Sequence, residues 1–383
     1  MHDMRRGRGS LGLRGVTLAF AVGLTPAVLT PVLAQAQRMH CAHVPVVTAD
    51  GAYVFGIEDI ALDAATDRLI LSAYDRHAVA AALEQGSALP PGNLFWLAGE
   101  DLRGGPPDML QAHALRVMAD TDIQLLPHGI DFYDDGTHRR LAVVNRVKRP
   151  SGHMGAQVLL FEAAADALVL RARASGDAFC RANDIALVDA ATAFFTFDQR
   201  NCDAWGIWKE RVFQQRASGV RSVHFGPDGR VRTRTHVQDM AFANGITLDR
   251  AHGRVLVANT RGGEVIAYDL ASFEDGPIRR HWSAAIDGGP DNLSLAADGR
   301  VIAAVHPSVW ALFWHISGWG SAPPGSVVAV DRAGTVQVLV DAATLGIPAA
   351  ATAAVMVDGR LIVASAWDQG LGICTPVPAE DTR

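Results

Sequence analysis

The chain has 383 residues, of which 49% are hydrophobic, 7% aromatic and 19% charged, and its formal net charge is −6. This composition supplies enough apolar material for a folded core and does not fit a disordered chain. Clusters of Lys and Arg are not evident, so the charge argues against a nucleic-acid partner and agrees better with a site for a cation.

Residues 1–34 have the pattern of an export signal. Four arginines precede an apolar segment, and small residues near Ala34 and Ala36 suit a cleavage site. Removal takes away four Arg and one Asp, a net +3, so the charge moves from −6 to about −9. We therefore expect a periplasmic or secreted protein. A retained membrane anchor is the alternative, because about 20 apolar residues span a bilayer.

One short pattern returns six times along the chain. It opens with a polar pair and an aliphatic residue, continues through alternating apolar positions and a turn, and ends in a second apolar run. The copies begin at Glu58-Asp59-Ile60, His128-Gly129-Ile130, Asn183-Asp184-Ile185, Asn244-Gly245-Ile246, Asp291-Asn292-Leu293 and, without polar residues, Ala353-Ala354-Val355. Repeats about 45 to 75 residues apart, each holding several short strands, are typical of propeller blades. We therefore expect an all-β fold, a six-bladed β-propeller.

The predicted segments follow in chain order. Residues 35–57 should form a leader and a strand that closes the ring, residues 58–376 the six blades, and residues 377–383 a tail. In the third repeat, Trp205, Trp208 and Val212 have roughly helical spacing, which predicts a short helix on one face of the ring.

An aromatic insertion between His306 and Val327 holds Trp310, Phe313, Trp314 and Trp319. It either packs against the blades or lines an apolar substrate pocket, and we place Trp310 and Phe313 in such a pocket. Contact with a membrane, here or through the N-terminal segment, is a third option.

Four cysteines in an exported chain predict two disulfides, for which three connectivities exist. Cys41 precedes the first blade and Cys374 follows the last, so we pair them, and the bond would close the ring. Cys180 and Cys202 bracket the third repeat and form the second predicted pair.

The repeated polar pairs predict a cation site. A single Asn or Asp before a strand is more often a turn residue that bonds its own backbone, so the argument depends on the whole set. The pseudo-symmetry of a propeller brings equivalent positions to one level of its channel. Calcium takes about six to eight oxygen ligands in flexible geometry. The predicted ligands are Glu58, Asn183, Asn244, Asp291 and Asn292.

Asp59 and Asp184 directly follow two of these ligands. Neighbours along a strand point to opposite faces, so these carboxylates should lie deeper, where they could hold a second ion with a backbone carbonyl such as that of Ile130. Zinc fits less well, because the set lacks the Cys and His ligands that zinc usually takes.

His128 is the one imidazole in the same register. A lone histidine is more often structural, but one beside a cation could take a proton from water while the ion polarises a carbonyl. Arg146 ends the same repeat, and its charge would keep a nearby His128 neutral.

Together these residues resemble the paraoxonase/arylesterase family, secreted calcium-dependent lactonases and esterases built as six-bladed propellers and related to SMP-30/gluconolactonase-like propellers. The resemblance extends from about Cys41 to Cys374. Its motifs are Glu58-Asp59, Pro127-His128-Gly129-Ile130, Val143-Val144-Asn145, Asn183-Asp184-Ile185, Phe242-Ala243-Asn244-Gly245-Ile246, Asp291-Asn292 and His306-Pro307.

The resemblance implies two calcium ions. The catalytic ion would be held by Glu58, Asn183, Asn244, Asp291 and Asn292, and the structural ion by Asp59 and Asp184 with the Ile130 carbonyl. It also implies that His128 is the catalytic base and that Cys41 bonds to Cys374. His306 and Asp198 match pocket residues of the family.

The chain departs from the family pattern at two positions. The family's second histidine, which relays the proton, falls where this chain has Arg146, and Gln199 replaces a histidine beside Asp198. The calcium ligands are complete while the relay is not, so lactone or ester hydrolysis is better supported than a paraoxonase-type side activity.

Three functions follow from these patterns. The first is a calcium-dependent hydrolase of small-molecule lactones or aryl esters. The second is a sugar-lactone hydrolase or an enzyme of the strictosidine synthase kind. The third, which Arg146 would favour if the replaced histidine is essential, is a non-catalytic binding propeller that calcium stabilises.

Overall fold

The computed structural model describes residues 39–119, 123–213 and 215–377, which form six sheets arranged as the blades of a propeller. This confirms the predicted fold. The predicted export signal, residues 1–34, lies outside the described residues, as do residues 378–383 of the predicted tail. Among the described residues, no helix is long and apolar enough to cross a membrane.

Each blade begins with its innermost strand, and the later strands follow outwards. Blade 1 contains Ile57–Asp63, Arg68–Ala73, Asn93–Ala98 and His113–Ala114. Blade 2 contains Pro127–Asp134, Arg139–Lys148, Met154–Ala163 and Ala167–Ala174, with Arg116–Met118 added in parallel at its outer edge. Blade 3 contains Ala182–Leu187, Thr192–Phe197, Ser218–Phe225 and Val231–Met240.

The second half of the ring repeats this order. Blade 4 contains Ala243–Asp249, Arg254–Asn259, Glu264–Asp269 and Arg280–Ala285. Blade 5 contains Gly289–Leu295, Val301–His306, Ser326–Val330 and Val336–Val340. Blade 6 contains Ala351–Val357, Arg360–Ser365 and Leu371–Pro376, and its fourth strand is Met39–Val44. The six innermost strands contact one another in sequence, and the last contacts the first, so the ring is closed.

Two features hold the ring shut. Met39–Val44 pairs antiparallel with Leu371–Pro376, so the start of the described chain completes the last blade. Cys41 lies opposite Cys374 in this pairing and is bonded to it, with a Cα–Cα distance of 3.9 Å, as predicted.

Cys180 and Cys202 form the second disulfide. A short parallel pair, Val46–Val47 with Leu110–Gln111, lies outside the blades.

Helices occupy the connections between strands. The α-helices are Arg76–Gln85 (α1), Ala204–Val212 (α2), Ala271–Glu274 (α3) and Val309–Ile316 (α4), and the 3₁₀ helices are Gly99–Leu102 and Arg250–His252. Side chains cap the longer ones: Asp75 accepts from the Ala78 N–H at 2.9 Å, and Ser308 accepts from the Ala311 N–H at 3.1 Å. Helix α2 forms where the tryptophan spacing predicted a helix.

The core lies between neighbouring blades. Neighbouring blades cover both faces of the inner strands of each sheet. Consecutive apolar residues in these strands are therefore all buried, as are Leu141, Ala142, Val143 and Val144 of blade 2. These buried layers fix the positions at which the innermost strands reach the centre of the ring.

Candidate functional site

A break in regular pairing occurs near the start of every innermost strand. In blades 1, 3, 4 and 5 the register shifts at the polar pair itself, for example between Ile57 and Asp59. In blade 2 it shifts opposite His128 and Gly129, and in blade 6 it shifts at Thr352, before the expected pair Ala353-Ala354. Such bulges re-aim side chains and leave backbone groups unpaired. The six irregularities bring the polar pairs together at one end of the ring.

Close approach of the inner strands explains the glycines of two pairs. A Cβ atom on Gly129 would lie 2.4 Å from Oδ1 of Asp184, and one on Gly245 would lie 2.4 Å from the Asp291 carbonyl oxygen. Neither position accommodates a side chain, so glycine is required for packing against the next blade.

A cavity of about 310 Å³ opens at this end of the ring. Its polar lining residues are Glu58, Tyr74, Arg76, His128, Arg146, Arg181, Asn183, Asp198, Asn244, Thr260 and His306. Its apolar walls come from α1, α4 and neighbouring loops and comprise Val79, Ala80, Leu83, Met154, Phe242, Val309, Leu312, Phe313, Ile316 and Trp367. The cavity therefore combines an apolar body with a few convergent polar groups, the usual composition of a small-molecule site.

Glu58 and His128 share a cationic neighbour. The Arg76 guanidinium donates to Oε2 of Glu58 through Nη2, and the same nitrogen lies 3.0 Å from Nδ1 of His128. Oε1 of Glu58 lies 3.3 Å from that imidazole nitrogen. Burial raises the pKa of Glu58, and the nearby Arg76 opposes this shift.

Asp291 is engaged on both oxygens. Oδ1 accepts a hydrogen bond from Nδ2 of Asn244, and Oδ2 lies 2.7 Å from Nε2 of His306. Asn292 turns its own Nδ2 to the Glu58 carbonyl at 3.0 Å. These contacts connect blades 1, 4 and 5 at the floor of the cavity.

The same contacts leave three amide oxygens without a partner. Oδ1 of Asn183, Asn244 and Asn292 is buried and has no partner at hydrogen-bonding geometry, although Asn183 lies close enough to His128 to oppose the lowering of its pKa. Buried acceptors normally have a partner, so three orphaned oxygens in one site require one. The described residues contain no cluster of three or more His, Cys, Asp or Glu arranged to hold a metal, so a metal here would depend on these amides.

Asp59 and Asp184 lie in a deeper layer and connect neighbouring blades. Asp59 accepts from the N–H groups of Ile60 and Ile130, both at 2.8 Å, and Asp184 accepts from those of Ile185 and Ile246, both at 2.7 Å. Ile130, whose carbonyl was the expected ligand, thus contacts Asp59 through its N–H group. Burial raises the pKa of Asp59 to about 8 and that of Asp184 well above its usual value.

The remaining guanidiniums of the cavity differ in their pairing. Arg181 forms two hydrogen bonds with Asp198, at 2.8 and 2.6 Å. Nη1 of Arg146 donates to the Ala182 carbonyl at 3.0 Å, and no described carboxylate lies within ion-pair distance of it. Burial lowers the pKa of His128 well below its usual value, and the charges of Arg146, Arg76 and Arg181 lower it further, so the imidazole is neutral.

One predicted pocket residue lies elsewhere. Trp310 is 73% exposed and does not line the cavity, whereas Phe313 does. The difference follows from α4, because residues 309, 312, 313 and 316 share the face toward the cavity while Trp310 and Trp314 point away. The other predicted pocket residues, Asp198 and His306, line the cavity as described above.

Sequence reasoning missed several residues of the site. Tyr74 stands in blade 1 at the position that Arg146 and His306 occupy in their blades, so the ends of the second apolar runs contained part of the signal. Arg76 and Trp367 lie just beyond that position in blades 1 and 6. Arg181 directly precedes the third inner strand, and Asp131 accepts from the Leu187 N–H at 2.7 Å in the deeper layer. No repeated pattern marks these two.

Comparison with known proteins gives a family and a set of related folds. A family model described as arylesterase matches residues 85–370. No curated protein matches the chain in sequence.

Solved structures resemble this chain at low identity. The luciferin-regenerating enzyme matches with a TM-score of 0.51 and 12% identity, over 85% of this chain and 93% of its own. The periplasmic gluconolactonase PpgL of Pseudomonas aeruginosa gives 0.49 and 12%, over 82% and 80%. Regucalcin, a calcium-binding protein from Agrobacterium tumefaciens, gives 0.48 and 14%, over 86% and 94%. At 12% identity the first of these shows the fold alone.

Proposed function

The chain belongs to the arylesterase family, and from this premise we propose that it hydrolyses small-molecule lactones or carboxylic esters with the help of calcium. The observation that carries the calcium proposal is the set of three buried, unpartnered amide oxygens on Asn183, Asn244 and Asn292. Oxygen donors of low charge suit calcium, which tolerates amides and irregular geometry.

The proposed ligands of the first ion are these three amides with the carboxylates of Glu58 and Asp291. A bound calcium would polarise the substrate carbonyl and stabilise the developing oxyanion. Asp59 and Asp184 are the proposed holders of a second, structural ion, because both are buried carboxylates whose described hydrogen bonds come from backbone N–H groups and not from a guanidinium.

His128 is the proposed general base. Its neutral ring carries one proton and one lone pair. We assign the proton to Nδ1, which faces Oε1 of Glu58, and this assignment requires the Arg76 guanidinium to give up its contact with Nδ1. Nε2 then keeps the lone pair and takes a proton from water. The water oxygen bonds to the acyl carbon, the bond from acyl carbon to leaving oxygen breaks, and that oxygen takes up the proton.

The cavity walls favour an apolar substrate. Leu83, Met154, Phe242, Leu312 and Phe313 provide large aliphatic and aromatic contacts. A polar sugar lactone would bury hydroxyl groups against these side chains without partners, which costs free energy. Aryl esters and aliphatic lactones therefore fit better than sugar lactones.

The two disulfides support an exported protein, because such bonds form in oxidising compartments. We infer a periplasmic or secreted location from these bonds together with the N-terminal sequence pattern.

A calcium-controlled assay with phenyl acetate and an aliphatic lactone tests the proposal. Turnover of either substrate should stop with EDTA and return with calcium, and Asn244→Ala should abolish it. Activity that survives both changes would refute calcium-dependent hydrolysis. If no substrate is turned over but calcium raises the melting temperature, the chain is a calcium-stabilised binding propeller.

A further inference from the structure

The cavity holds three guanidiniums, and one of them has no carboxylate partner. Arg76, Arg146 and Arg181 line it together with two carboxylates, on Glu58 and Asp198. Asp291, at its floor, adds a third carboxylate, whose oxygens contact Asn244 and His306. Bound calcium would make the net charge of these groups positive.

Pairing distinguishes one of the three guanidiniums from the other two. Arg76 bonds to Glu58, and Arg181 bonds to Asp198 through two parallel contacts. Arg146 has a hydrogen bond to the Ala182 carbonyl and no described carboxylate partner. A guanidinium has five N–H donors, so most donors of Arg146 remain available.

The surroundings make this unpaired charge costly. Burial lowers the pKa of Arg146. The Asp198 carboxylate, beyond ion-pair distance, and Tyr74 oppose this shift, and repulsion from Arg181 and Arg76 adds to it. A buried cation without a partner is unfavourable, and an anion from solution removes that cost when it binds. The planar fork of Arg matches the two oxygens of a carboxylate, and a single guanidinium matches its single charge better than the two charges of a phosphate.

We propose that Arg146 is a specificity residue that binds a carboxylate of the substrate, so the preferred substrate is an ester or lactone with an apolar body and a carboxylate group. The ester or lactone part of this inference rests on the proposed function, while the carboxylate site does not. The apolar walls from α1 and α4 would contact the apolar body of the substrate, which lies between its carboxylate and its ester or lactone group.

A matched pair of esters tests the preference. We expect the purified protein to show a higher kcat/KM for para-acetoxybenzoate than for phenyl acetate, because only the first carries a carboxylate. Arg146→Met should lower the ratio of the two values by about ten- to a hundredfold, the size expected for hydrogen bonds to a charged group. Arg146→Lys keeps the charge and should retain part of the preference.

The exposed Arg232 on the outer strand of blade 3 supplies the control, since Arg232→Met removes the same charge away from the cavity. It should leave the ratio unchanged. Melting curves of all variants identify any that fail to fold. An unchanged ratio in folded Arg146→Met would overturn the inference.

Calorimetric titration with benzoate and benzamide separates this inference from the proposed function. Binding of benzoate in preference to benzamide, lost in Arg146→Met, supports the carboxylate site even if no ester is hydrolysed. Equal binding of the two ligands to the original protein contradicts it even if esters are hydrolysed.

Discussion

Nη2 of Arg76 lies 3.0 Å from Nδ1 of His128, a nitrogen that Glu58 approaches to 3.3 Å through Oε1. The two neighbours require different states of the ring. Arginine only donates, so its contact needs an unprotonated Nδ1, whereas the carboxylate only accepts and needs a protonated one. Arg76 therefore competes with Glu58 for the contact with Nδ1 of His128. It also competes with any bound cation for the carboxylate of Glu58.

Replacing Arg76 should strengthen calcium binding. Arg76→Met removes a positive charge that bonds to the proposed ligand Glu58, and one charge at this range alters binding by about 1 to 2 kcal/mol, or about tenfold in affinity. Calorimetric titration of the metal-free protein measures the change, with Arg232→Met as the control. An unchanged or lower affinity would mean that Arg76 positions Glu58 for the metal.

The activity should persist in acid. His128 acts as a base only when neutral, and its lowered pKa keeps it neutral below its ordinary value of 6.5. The acid limb of kcat/KM for phenyl acetate should therefore lie well below pH 6.5. Arg146→Met removes one cause of the lowered pKa, so its acid limb should move to higher pH. A wild-type acid limb at or above pH 6.5 would argue against His128 as the base.

Asp131 should make stability depend on pH. Burial raises its pKa from 3.8 to about 6, so its folded-state pKa exceeds the unfolded one. The favourable contribution of the protonated Asp131 carboxyl to the free energy of unfolding is complete below pH 3.8 and is lost as the pH rises through about 6. Asn at this position cannot ionise and still accepts from Leu187.

Asp131→Asn should consequently be more stable than the original protein at pH 8, by about 2 kcal/mol for this half-buried group, and similar to it at pH 4. Urea unfolding at both pH values measures the difference. Equal stabilities at pH 8 would show that the carboxylate of Asp131 is well solvated or neutralised.

The disulfide that closes the ring should contribute more stability than the other. Cys41 and Cys374 are 333 residues apart, whereas Cys180 and Cys202 are 22 apart. In the loop-entropy model the first bond stabilises by on the order of 5 kcal/mol at most and the second by about 3 kcal/mol. Urea unfolding of Cys41→Ala/Cys374→Ala and of Cys180→Ala/Cys202→Ala compares them. A larger loss in the second variant would contradict the role of ring closure.

Much of the fold could be predicted because the repeat itself encodes it. Six copies of one pattern gave six blades, and the flanking cysteines gave the bond that closes the ring. The gathering of Glu58, Asn183 and Asn244 around one cavity followed from pseudo-symmetry alone. Repetition amplifies signals that a single Asn before a strand does not provide.

Residues outside the repeated frame could not be placed in this way. The position of Arg76 depends on the turn between the second strand and α1, and that of Arg181 on its pairing with Asp198 across the site. Trp310 shared a motif with Phe313, and only the orientation of α4 separates the two side chains. The partner of an individual side chain and the rotation of a helix about its axis leave no repeating pattern in the sequence. The pairing of the charges in the cavity could therefore be read only from the structure.

Calorimetric titration of the metal-free protein with calcium tests whether the three buried amides bind the ion. We expect saturable binding that weakens by about ten- to a hundredfold in each of Asn183→Ala, Asn244→Ala and Asn292→Ala, because each change removes an oxygen from the ion's shell. Asn93→Ala, an amide outside the cavity, should bind as the original protein does. No calcium binding by the original protein, or equal binding by all four variants, would refute the proposed calcium site.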